Sequence, residues 1–453
     1  MRRKIVLLGG GSAYFETVIG ELATTPELAG CSTVLYDVDP KRMGVVRRAG
    51  QRILDATGAK LKLTATTDLD RALDGADFAI SSIGVHGPGH RWHKTDVDVC
   101  ARFGIVHTTG DTVGPAGVSQ GLRIIPIYVA IARQMARYCP NVVLLNHSNP
   151  MDPICRAVIK TTGIETIGYC HNVPNETGWF ARLLGVPARE LDVTAVGPNH
   201  MLWLLGVRHQ GRDVYPELKR RILDRPPEDT RTFAREVLAL FGLYPIAGDR
   251  HMVEFFPHAR IAMKPEELLY GMRWRSDTIR EGALARELSQ SPSNLDLRAR
   301  GKLPPAVPTA GSGEDMGGQI RALALGIDTV HYVNTPNRGA VGNLPDWAVI
   351  ELKAVVGSGG AKPIQVGELP PQAARWSLAT IYAQELLVDA AVEGSREKAL
   401  QALACDPMML NFREVEPLFD ALVEAQGDRL RRFQRKAKKG TGVFFAANAR
   451  AGE

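Results

Sequence analysis

Two dipeptides with metal-binding side chains, Cys170-His171 and Asn199-His200, carry the strongest chemical signal in this sequence. Each follows a run of hydrophobic and β-branched residues that is typical of a strand. A thiolate and an imidazole that meet at strand ends form half of a metal site for a borderline divalent ion, with positions left open for substrate oxygens. The alternative is a buried thiol and a hydrogen-bonded core histidine, which is the commoner fate of such residues taken alone.

A glycine-rich turn near the N-terminus has the features of a nucleotide-binding loop. Gly9, Gly11 and Ser12 follow a short apolar run and precede a predicted helix. Glycines at this point allow the backbone to approach a pyrophosphate, and the N–H groups at the helix start favour its negative charge. Tyr14 replaces the third glycine of the usual pattern, so the turn alone is weak evidence.

Asp37 strengthens this interpretation, because it ends the second apolar run and holds the acidic position that binds a ribose 2′-hydroxyl. A carboxylate there repels a 2′-phosphate, so the sequence favours NAD over NADP. The nearby Arg42 instead favours NADP, since an arginine can accommodate that phosphate.

Two further polar residues, Asp111 and Asn149, lie in segments that we expect at the crevice of the sheet. Asn149 precedes Pro150 after an apolar run, and Asp111 lies in a loop between Gly110 and Gly114. Either residue could be an ordinary turn residue. The alternative is that Asn149 lies beside a nicotinamide and that Asp111 is an acid, a base or a partner of the metal.

The elements that must position these residues alternate along the first part of the chain. The predicted elements are strand 4–8, helix 16–25, strand 32–36, helix 41–56, strand 78–83, helix 118–138 and strand 142–146. This alternation predicts an α/β protein with a Rossmann-like, doubly wound parallel sheet. Ligands bind such sheets beyond the carboxyl ends of the strands, where the residues above are expected.

The pattern changes after this region. It predicts a hairpin at 193–215, strands at 329–334 and 348–356, and helices over 370–426. We therefore expect two domains with the site in the cleft between them. The first is an NAD-binding Rossmann domain at 1–192, and the second is an α+β domain at 193–453 for substrate binding, metal binding and oligomerisation.

Composition excludes several classes of protein. The 453 residues are 45% hydrophobic and 23% charged, with a net charge of +6, which indicates a globular chain. Six cysteines lack framework spacing and no apolar run is long enough for a bilayer, so we expect a cytoplasmic protein without membrane contact. A basic cluster near the C-terminus lacks interleaved aromatic residues, so we expect no nucleic-acid partner. Its members are Arg429, Arg431, Arg432, Arg435, Lys436, Lys438 and Lys439.

Taken in order, the motifs resemble glycoside hydrolase family 4, whose members depend on NAD and manganese and share the fold of lactate and malate dehydrogenases. The resemblance covers nearly the whole chain. Its segments are Gly9 to Ser12, Gly114 to Pro126, Asn149-Pro150, Cys170-His171, Asn199-His200, Asn334 to Gly339 and Asn343 to Pro345. The resemblance implies a lactate/malate dehydrogenase-like C-terminal domain after the Rossmann domain. We also expect a homodimer or homotetramer.

The resemblance implies a reaction by oxidation, elimination, addition and reduction. NAD+ takes a hydride from C3 of the sugar, a base removes the acidified C2 proton, the aglycone leaves C1, water adds, and the reduced cofactor restores C3. A Mn2+ ion held by Cys170 and His200 polarises the C3 oxygen. The residues implied for the cofactor are Gly9, Gly11, Ser12, Asp37 and Asn149.

The base that removes the C2 proton is the main departure from the family. Members often carry a tyrosine where this chain has Phe255, which cannot accept a proton. Asp249 is the first candidate to replace it and His251 the second. His171 and Asp111 complete the set of candidate catalytic residues.

A cationic segment after strand 78–83 is a candidate for substrate recognition. Arg91, Trp92, His93 and Lys94 offer a guanidinium, an indole N–H, an imidazole and an ammonium group. They form either a solvated surface loop or a clamp for an anionic substituent such as a carboxylate, sulfonate or phosphate. The remaining candidate substrate contacts are Asn149 and Asn199.

The sequence therefore predicts an NAD- and Mn2+-dependent glycosidase for α-glycosides, including those of an acidic sugar such as a uronic acid or sulfosugar. One alternative is an NAD-dependent dehydrogenase of a sugar or hydroxy acid, which accumulates NADH with turnover. The other is a catalytically silent nucleotide-sensing protein, an interpretation that Phe255 favours and the Cys170 and His200 pair opposes.

Overall fold

The computed structural model describes residues 2–87, 90–225, 231–260, 268–289, 293–308 and 315–435. Its strands, β1 to β13 in chain order, are Lys4–Leu8, Ser32–Tyr36, Lys62–Thr66, Phe78–Ser81, Val143–Asn146, Thr166–Gly168, Leu191–Val196, Leu202–His209, Arg212–Asp213, Tyr244–Ile246, Thr329–Pro336, Val349–Gly357 and Gly360–Pro363. Its α-helices are Tyr14–Ala23, Pro40–Thr57, Leu69–Leu73, Arg91–Ala101, Gly114–Tyr138, Met151–Thr162, Asn172–Leu184, Tyr215–Leu223, Thr232–Phe241, Asp249–Met252, Pro257–Arg260, Arg275–Ser289, Asn294–Ala299, Met316–Leu325, Pro371–Glu393, Arg396–Ala404 and Phe412–Gln426.

The large sheet has the order β13-β12-β11-β6-β5-β4-β1-β2-β3. Strands β1 to β6 pair in parallel, and β11 to β13 extend the sheet antiparallel, with Asn334 opposite Gly168. The first six strands have the order of a dinucleotide-binding sheet, with β1 at its centre. The predicted Rossmann-like fold is therefore confirmed.

Strand β1 shows why this sheet is covered on both faces. Ile5 and Leu7 pack into one core with helices 14–23 and 40–57, whereas Val6 and Leu8 pack into a second core with helix 114–138. All four of these side chains are fully buried. A strand with apolar residues at consecutive positions must be buried on both faces, because successive side chains point to opposite sides.

The second sheet contains the predicted hairpin. Strand β7 pairs antiparallel with β8, and β8 also pairs with β10 and β9. Leu202 and Leu204 enter one apolar cluster while Trp203 enters another, so this sheet too is covered on both faces. Because β11 to β13 belong to the second half of the chain and join the first sheet, the division at residue 192 stays a prediction.

Several elements differ from the sequence-based expectation. The helix predicted from residue 118 begins at Gly114, and β3 was not predicted. The prediction of a loop for the cationic segment was wrong, because these residues form the first turn of helix 91–101. Three members of the basic cluster, Lys436, Lys438 and Lys439, lie outside the described residues.

None of the helices in the described part of the chain combines the length and apolar character that a membrane span needs.

Candidate active site

The turn after β1 brings the backbone of the glycine-rich loop against two neighbouring strands. The N–H groups of Gly9 and Gly10 both donate to the carbonyl oxygen of Tyr36, at 3.0 and 2.7 Å. Gly9 has a φ of +84°, and a Cβ there would lie 2.4 Å from the carbonyl oxygen of Ser82. Only glycine fits this position, so the close approach that a nucleotide loop requires is present.

Asp37 lies beside this loop, as the sequence predicted. Its carboxylate accepts the N–H of Gly11 at 2.7 Å and that of Asp39 at 2.8 Å. Arg42 donates from Nε to the carbonyl oxygen of Gly11 at 3.3 Å. Asp37 and Arg42, the two candidates for cofactor selectivity, therefore both bond to Gly11 of the loop. The ribose-binding role of Asp37 stays a prediction.

Three side chains from distant parts of the chain form a compact group, here called the Asp111 cluster. It consists of Asp111, His200 and His251, whose ligand atoms all lie within 4.8 Å of one another. Asp111 Oδ1 lies 3.7 Å from His251 Nδ1, and the two imidazole rings are 4.0 Å apart between centroids. One carboxylate and two imidazoles are donors that Mn2+, Zn2+ or Fe2+ accept. From the sequence, Asp111 was a candidate acid, base or partner of the metal, whereas His251 was a candidate base only.

Thr112 fixes the orientation of two members of the cluster. Its hydroxyl donates to Asp111 Oδ1 at 2.8 Å and lies 2.8 Å from His200 Nδ1. Because the single hydroxyl hydrogen goes to the carboxylate, the hydrogen of the second bond must be on His200 Nδ1. His200 Nε2 then keeps its lone pair, which is the arrangement that an imidazole ligand requires.

The charges in the cluster suit a cation. Burial is the main cause that lowers the pKa of His200 to about 3, with His251 and His171 acting in the same direction. Burial likewise lowers the pKa of His251. Burial works against ionisation of Asp111, but His251, His200 and the Thr112 hydroxyl together hold its pKa below the usual range. At neutral pH the cluster is thus one carboxylate with two neutral imidazoles, ready to bind a metal ion.

Asn149 connects the end of β5 to the cluster. Its Nδ2 donates to Asp111 Oδ2 at 3.3 Å, and its carbonyl oxygen accepts from Gln120 Nε2 at 2.9 Å. Its Oδ1 is buried and has no hydrogen-bond partner among the described residues. A buried acceptor of this kind is expected to accept a hydrogen bond from a bound ligand.

Cys170 and His171 follow the end of β6. Cys170 is buried beside Met151, Cys155 and Val349. His171 is exposed and precedes helix 172–184. Among the described residues, the three-membered Asp111 cluster does not include Cys170, whose role as a metal ligand stays a prediction.

Asn199 holds the turn that presents His200. Its N–H donates to Asp152 Oδ2 at 2.6 Å, and its Nδ2 donates to Glu351 Oε2 at 2.8 Å. Burial, followed by repulsion from Glu351, raises the pKa of Asp152 well above its usual value. His200 has a φ of 67°, a strained conformation that surrounding structure must impose. The two hydrogen bonds of Asn199 hold the residue directly before His200, and the predicted substrate contact of Asn199 stays a prediction.

Asp249 was the first candidate for the C2 base, and the structure places its carboxylate at the start of helix 232–241. Its two oxygens accept the N–H groups of Phe233 and Ala234 at 2.8 and 3.0 Å. Burial raises its pKa. These are the contacts of a helix-capping residue, and the role of base stays untested. Phe255 is buried in an apolar cluster.

The predicted substrate residues of helix 91–101 have partners within the protein. Lys94 pairs with Asp98 at 2.6 Å, and His93 Nε2 lies 2.9 Å from the carbonyl oxygen of Thr109. Burial lowers the pKa of His93 to about 3. The Arg429 guanidinium lies over the ring of Trp92, 4.6 Å from its centroid, and Arg91 is exposed.

Sequence reasoning missed the residues that support the cluster. Thr112 directly follows Asp111, so its proximity was readable from the sequence. Glu254 was not singled out, although a carboxylate between the apolar residues Val253 and Phe255 indicates a buried partner for backbone N–H groups. Arg275 lies in a segment without a recognisable motif, and only the fold brings it near Asp111.

Known proteins share both parts of this architecture. Residues 4–186 match the model of the family 4 glycosyl hydrolases, and residues 195–409 match the model of the family 4 glycosyl hydrolase C-terminal domain. An α-galactosidase of Bacillus subtilis is 30% identical over 94% of this chain and 99% of its own length. An α-galacturonidase of the same organism is 30% identical over 93% of this chain and 97% of its own length.

Solved structures agree on the fold. A 6-phospho-α-glucosidase from gut microorganisms, in complex with NAD and Mn2+, has a TM-score of 0.78 with 23% identity over 95% of this chain and 99% of that one. A malate dehydrogenase of Plasmodium falciparum has a TM-score of 0.51 with 13% identity over 86% of this chain and 99% of that one. Since the two family models together span most of the sequence, the chain belongs to the family 4 glycosyl hydrolases.

Proposed function

We propose that this glycosidase hydrolyses α-glycosides with NAD+ and Mn2+ as cofactors. The observation that carries the proposal is the Asp111 cluster, which gathers one carboxylate and two neutral imidazoles beside Asn149 at the end of β5. The two Bacillus subtilis relatives, an α-galactosidase and an α-galacturonidase, support the anomer, and the structure solved with NAD and Mn2+ supports the cofactors.

The residues present fit both cofactors. The loop at Gly9 and Gly11 would hold the pyrophosphate, with Asp37 at the ribose, and the Asp111 cluster together with Cys170 would hold the metal. When bound, NAD+ supplies a hydride acceptor for C3 of the sugar, and the metal supplies a Lewis acid that polarises the C3 oxygen. The Oδ1 of Asn149, buried and without a hydrogen-bond partner among the described residues, is well placed to orient a bound group there.

The protein must also move the proton at C2 of the oxidised sugar. If the Asp111 cluster holds the metal, its members are not available as bases. Both oxygens of Asp249 are engaged by backbone N–H groups. His171 is then the favoured base, because it is exposed and lies close enough to His200 to interact with it electrostatically. It takes the proton from C2 as the aglycone leaves C1, and water then adds to C1.

Two arginines favour an acidic sugar as the substrate. Arg275 is electrostatically coupled to Asp111, and its Nε is buried without a hydrogen-bond partner among the described residues. Arg250 is exposed, and its charge acts on both His200 and His251. Guanidinium groups with free N–H donors bind carboxylates well. A uronic acid therefore fits this site better than a neutral hexose.

The preference for an acidic sugar is tested by Arg275→Gln, with Arg273→Gln as the matched control. Arg273 is an exposed arginine of the same segment that pairs with Glu281. Arg275→Gln should raise the KM for an aryl α-galacturonide about 10- to 100-fold and change that for the neutral α-galactoside little. Equal effects on both substrates would remove Arg275 from substrate recognition.

The function itself is tested with chromogenic α-galactosides and α-galacturonides in the presence of NAD+, Mn2+ and a thiol. Release of the chromophore should require both cofactors, stop with chelator and return with Mn2+. NADH should not accumulate, because each cycle regenerates NAD+. Stoichiometric NADH without glycoside cleavage would instead support a dehydrogenase.

We further infer a cytoplasmic location and a homodimeric or homotetrameric state. None of the six cysteines, all of which lie in the described part of the chain, forms a disulfide bond, as expected in a reducing compartment. Light scattering after size-exclusion chromatography measures the oligomeric state directly.

A further inference from the structure

A buried carboxylate outside the Asp111 cluster binds the loop that leads to Asp111. Glu254 is 1% exposed. Its Oε1 accepts the N–H groups of Thr108 at 2.8 Å and Thr109 at 2.9 Å, and its Oε2 accepts that of Gly110 at 3.0 Å. His107 adds a contact from Nδ1 at 3.1 Å. One side chain thus binds four consecutive residues, and Asp111 is the next residue in the chain.

The contacts of His107 define which of its ring nitrogens carries the hydrogen. His107 Nε2 accepts the N–H of Ala116 at 3.3 Å, so the ring hydrogen is on Nδ1 and donates to Glu254. Both oxygens of Glu254 therefore face donors of the loop. Glu254 thus holds the loop through hydrogen bonds, and among the described residues it is not a member of the Asp111 cluster.

The segment that carries Glu254 also carries His251. Its backbone makes a second set of bonds to the same loop: the hydroxyls of Thr108 and Thr109 donate to the carbonyl oxygen of Arg250 at 2.6 and 3.1 Å. Hydrogen bonds therefore connect the loop to the 250–254 segment on both sides of His251, at Arg250 and at Glu254. The separation of Asp111 and His251 depends on these bonds, because each of the two residues belongs to one of the connected segments.

We infer that Glu254 is a positioning residue that sets the geometry of the Asp111 cluster and thereby the affinity of the protein for its metal. This inference rests on the proposed function, because it takes the cluster to be the Mn2+ site. Replacement of a residue that does not bind the metal but holds a metal ligand in place commonly changes metal affinity about 10- to 100-fold. Glu254 differs from the usual case because it acts through the backbone of a loop.

The test is the variant Glu254→Gln, which keeps the shape of the side chain but replaces one acceptor oxygen with an amide that faces N–H donors. Mn2+ alone is titrated into folded protein, and free Mn2+ is measured by electron paramagnetic resonance. We expect Mn2+ to bind about 10- to 100-fold more weakly than to the wild type. The matched control is Glu176→Gln, since Glu176 is another buried glutamate, paired with Arg231 at 3.1 Å. It should keep wild-type Mn2+ affinity.

A second variant covers the case in which Glu254→Gln does not fold. Thr108→Val preserves side-chain volume and removes the hydroxyl bonds to Arg250 and Glu254. It should weaken Mn2+ binding by a smaller factor in the same direction. Unchanged affinity in the folded Glu254 variant, or in Thr108→Val if only that variant folds, would overturn the inference. Failure of the wild type to bind Mn2+ would instead overturn the proposed function.

Discussion

Asp37 offers a quantitative test of cofactor binding, through the change Asp37→Ala. The carboxylate lies at the loop where the ribose of NAD is expected, and it also accepts the N–H of Gly11 at 2.7 Å. The variant therefore loses two things: the acceptor for the ribose hydroxyls and a restraint on the loop. Loosening of the loop should weaken NAD and NADP equally, so the ratio of their dissociation constants isolates the contact with the ribose.

The expected size follows from the charge of the acceptor. A hydrogen bond to a charged group contributes about 1.5–3 kcal/mol, which corresponds to about a 10- to 150-fold loss in NAD affinity. NADP gains in relative terms, because the repulsion between Asp37 and its 2′-phosphate disappears, and Arg42 remains nearby. The ratio of Kd for NADP to Kd for NAD should fall at least tenfold by calorimetry. Asp37→Asn, which keeps one acceptor oxygen for the loop, is the control. An unchanged ratio in Asp37→Ala would refute the placement of the ribose at Asp37.

The remaining predictions concern stability, the metal and the base. Asp249→Asn should lower stability by about 1 kcal/mol through loss of a helix cap while C2 exchange continues; loss of exchange in folded protein would restore Asp249 as the base. Arg123→Met leaves Asp96, its buried partner at 2.7 Å, without its cation, so denaturant unfolding should show a loss of about 3–5 kcal/mol; a loss under 1 kcal/mol would show that Asp96 needs no cation. Cys170→Ser should weaken Mn2+ binding if the thiolate is a ligand, and unchanged affinity would leave the metal to the Asp111 cluster.

The fold was largely readable from the sequence. Consecutive apolar residues such as Ile5, Val6 and Leu7 predicted strands buried on both faces, and the glycine turn marked the first strand–helix junction. The antiparallel addition of β11 to β13 could not be foreseen, because the pairing of Asn334 with Gly168 joins residues far apart in the sequence. Strand periodicity indicates which residues are buried but not which strands are neighbours.

The site was only partly readable, for a related reason. Motifs in the sequence singled out His200, Asn149 and Asp111, and the fold brings these three residues close together, while their roles in the site stay predictions. Proximity in the sequence favoured Asp249 as the base, but its carboxylate caps a helix. The apolar neighbours of Glu254 indicate a buried carboxylate, but a single sequence does not show which backbone N–H groups it contacts, because the loop at 107–110 is distant in sequence.

Turnover of an α-glycoside in D2O with NAD+ and Mn2+, followed by NMR of the released sugar, tests the oxidation and elimination mechanism. We expect deuterium to replace hydrogen at C2, because the proton there is removed before the aglycone leaves and is restored from solvent. We also expect C3 to keep its original hydrogen, since the hydride returns from the reduced cofactor. A released sugar with no deuterium at C2, at full glycoside cleavage, would show that glycoside cleavage proceeds without removal of the C2 proton.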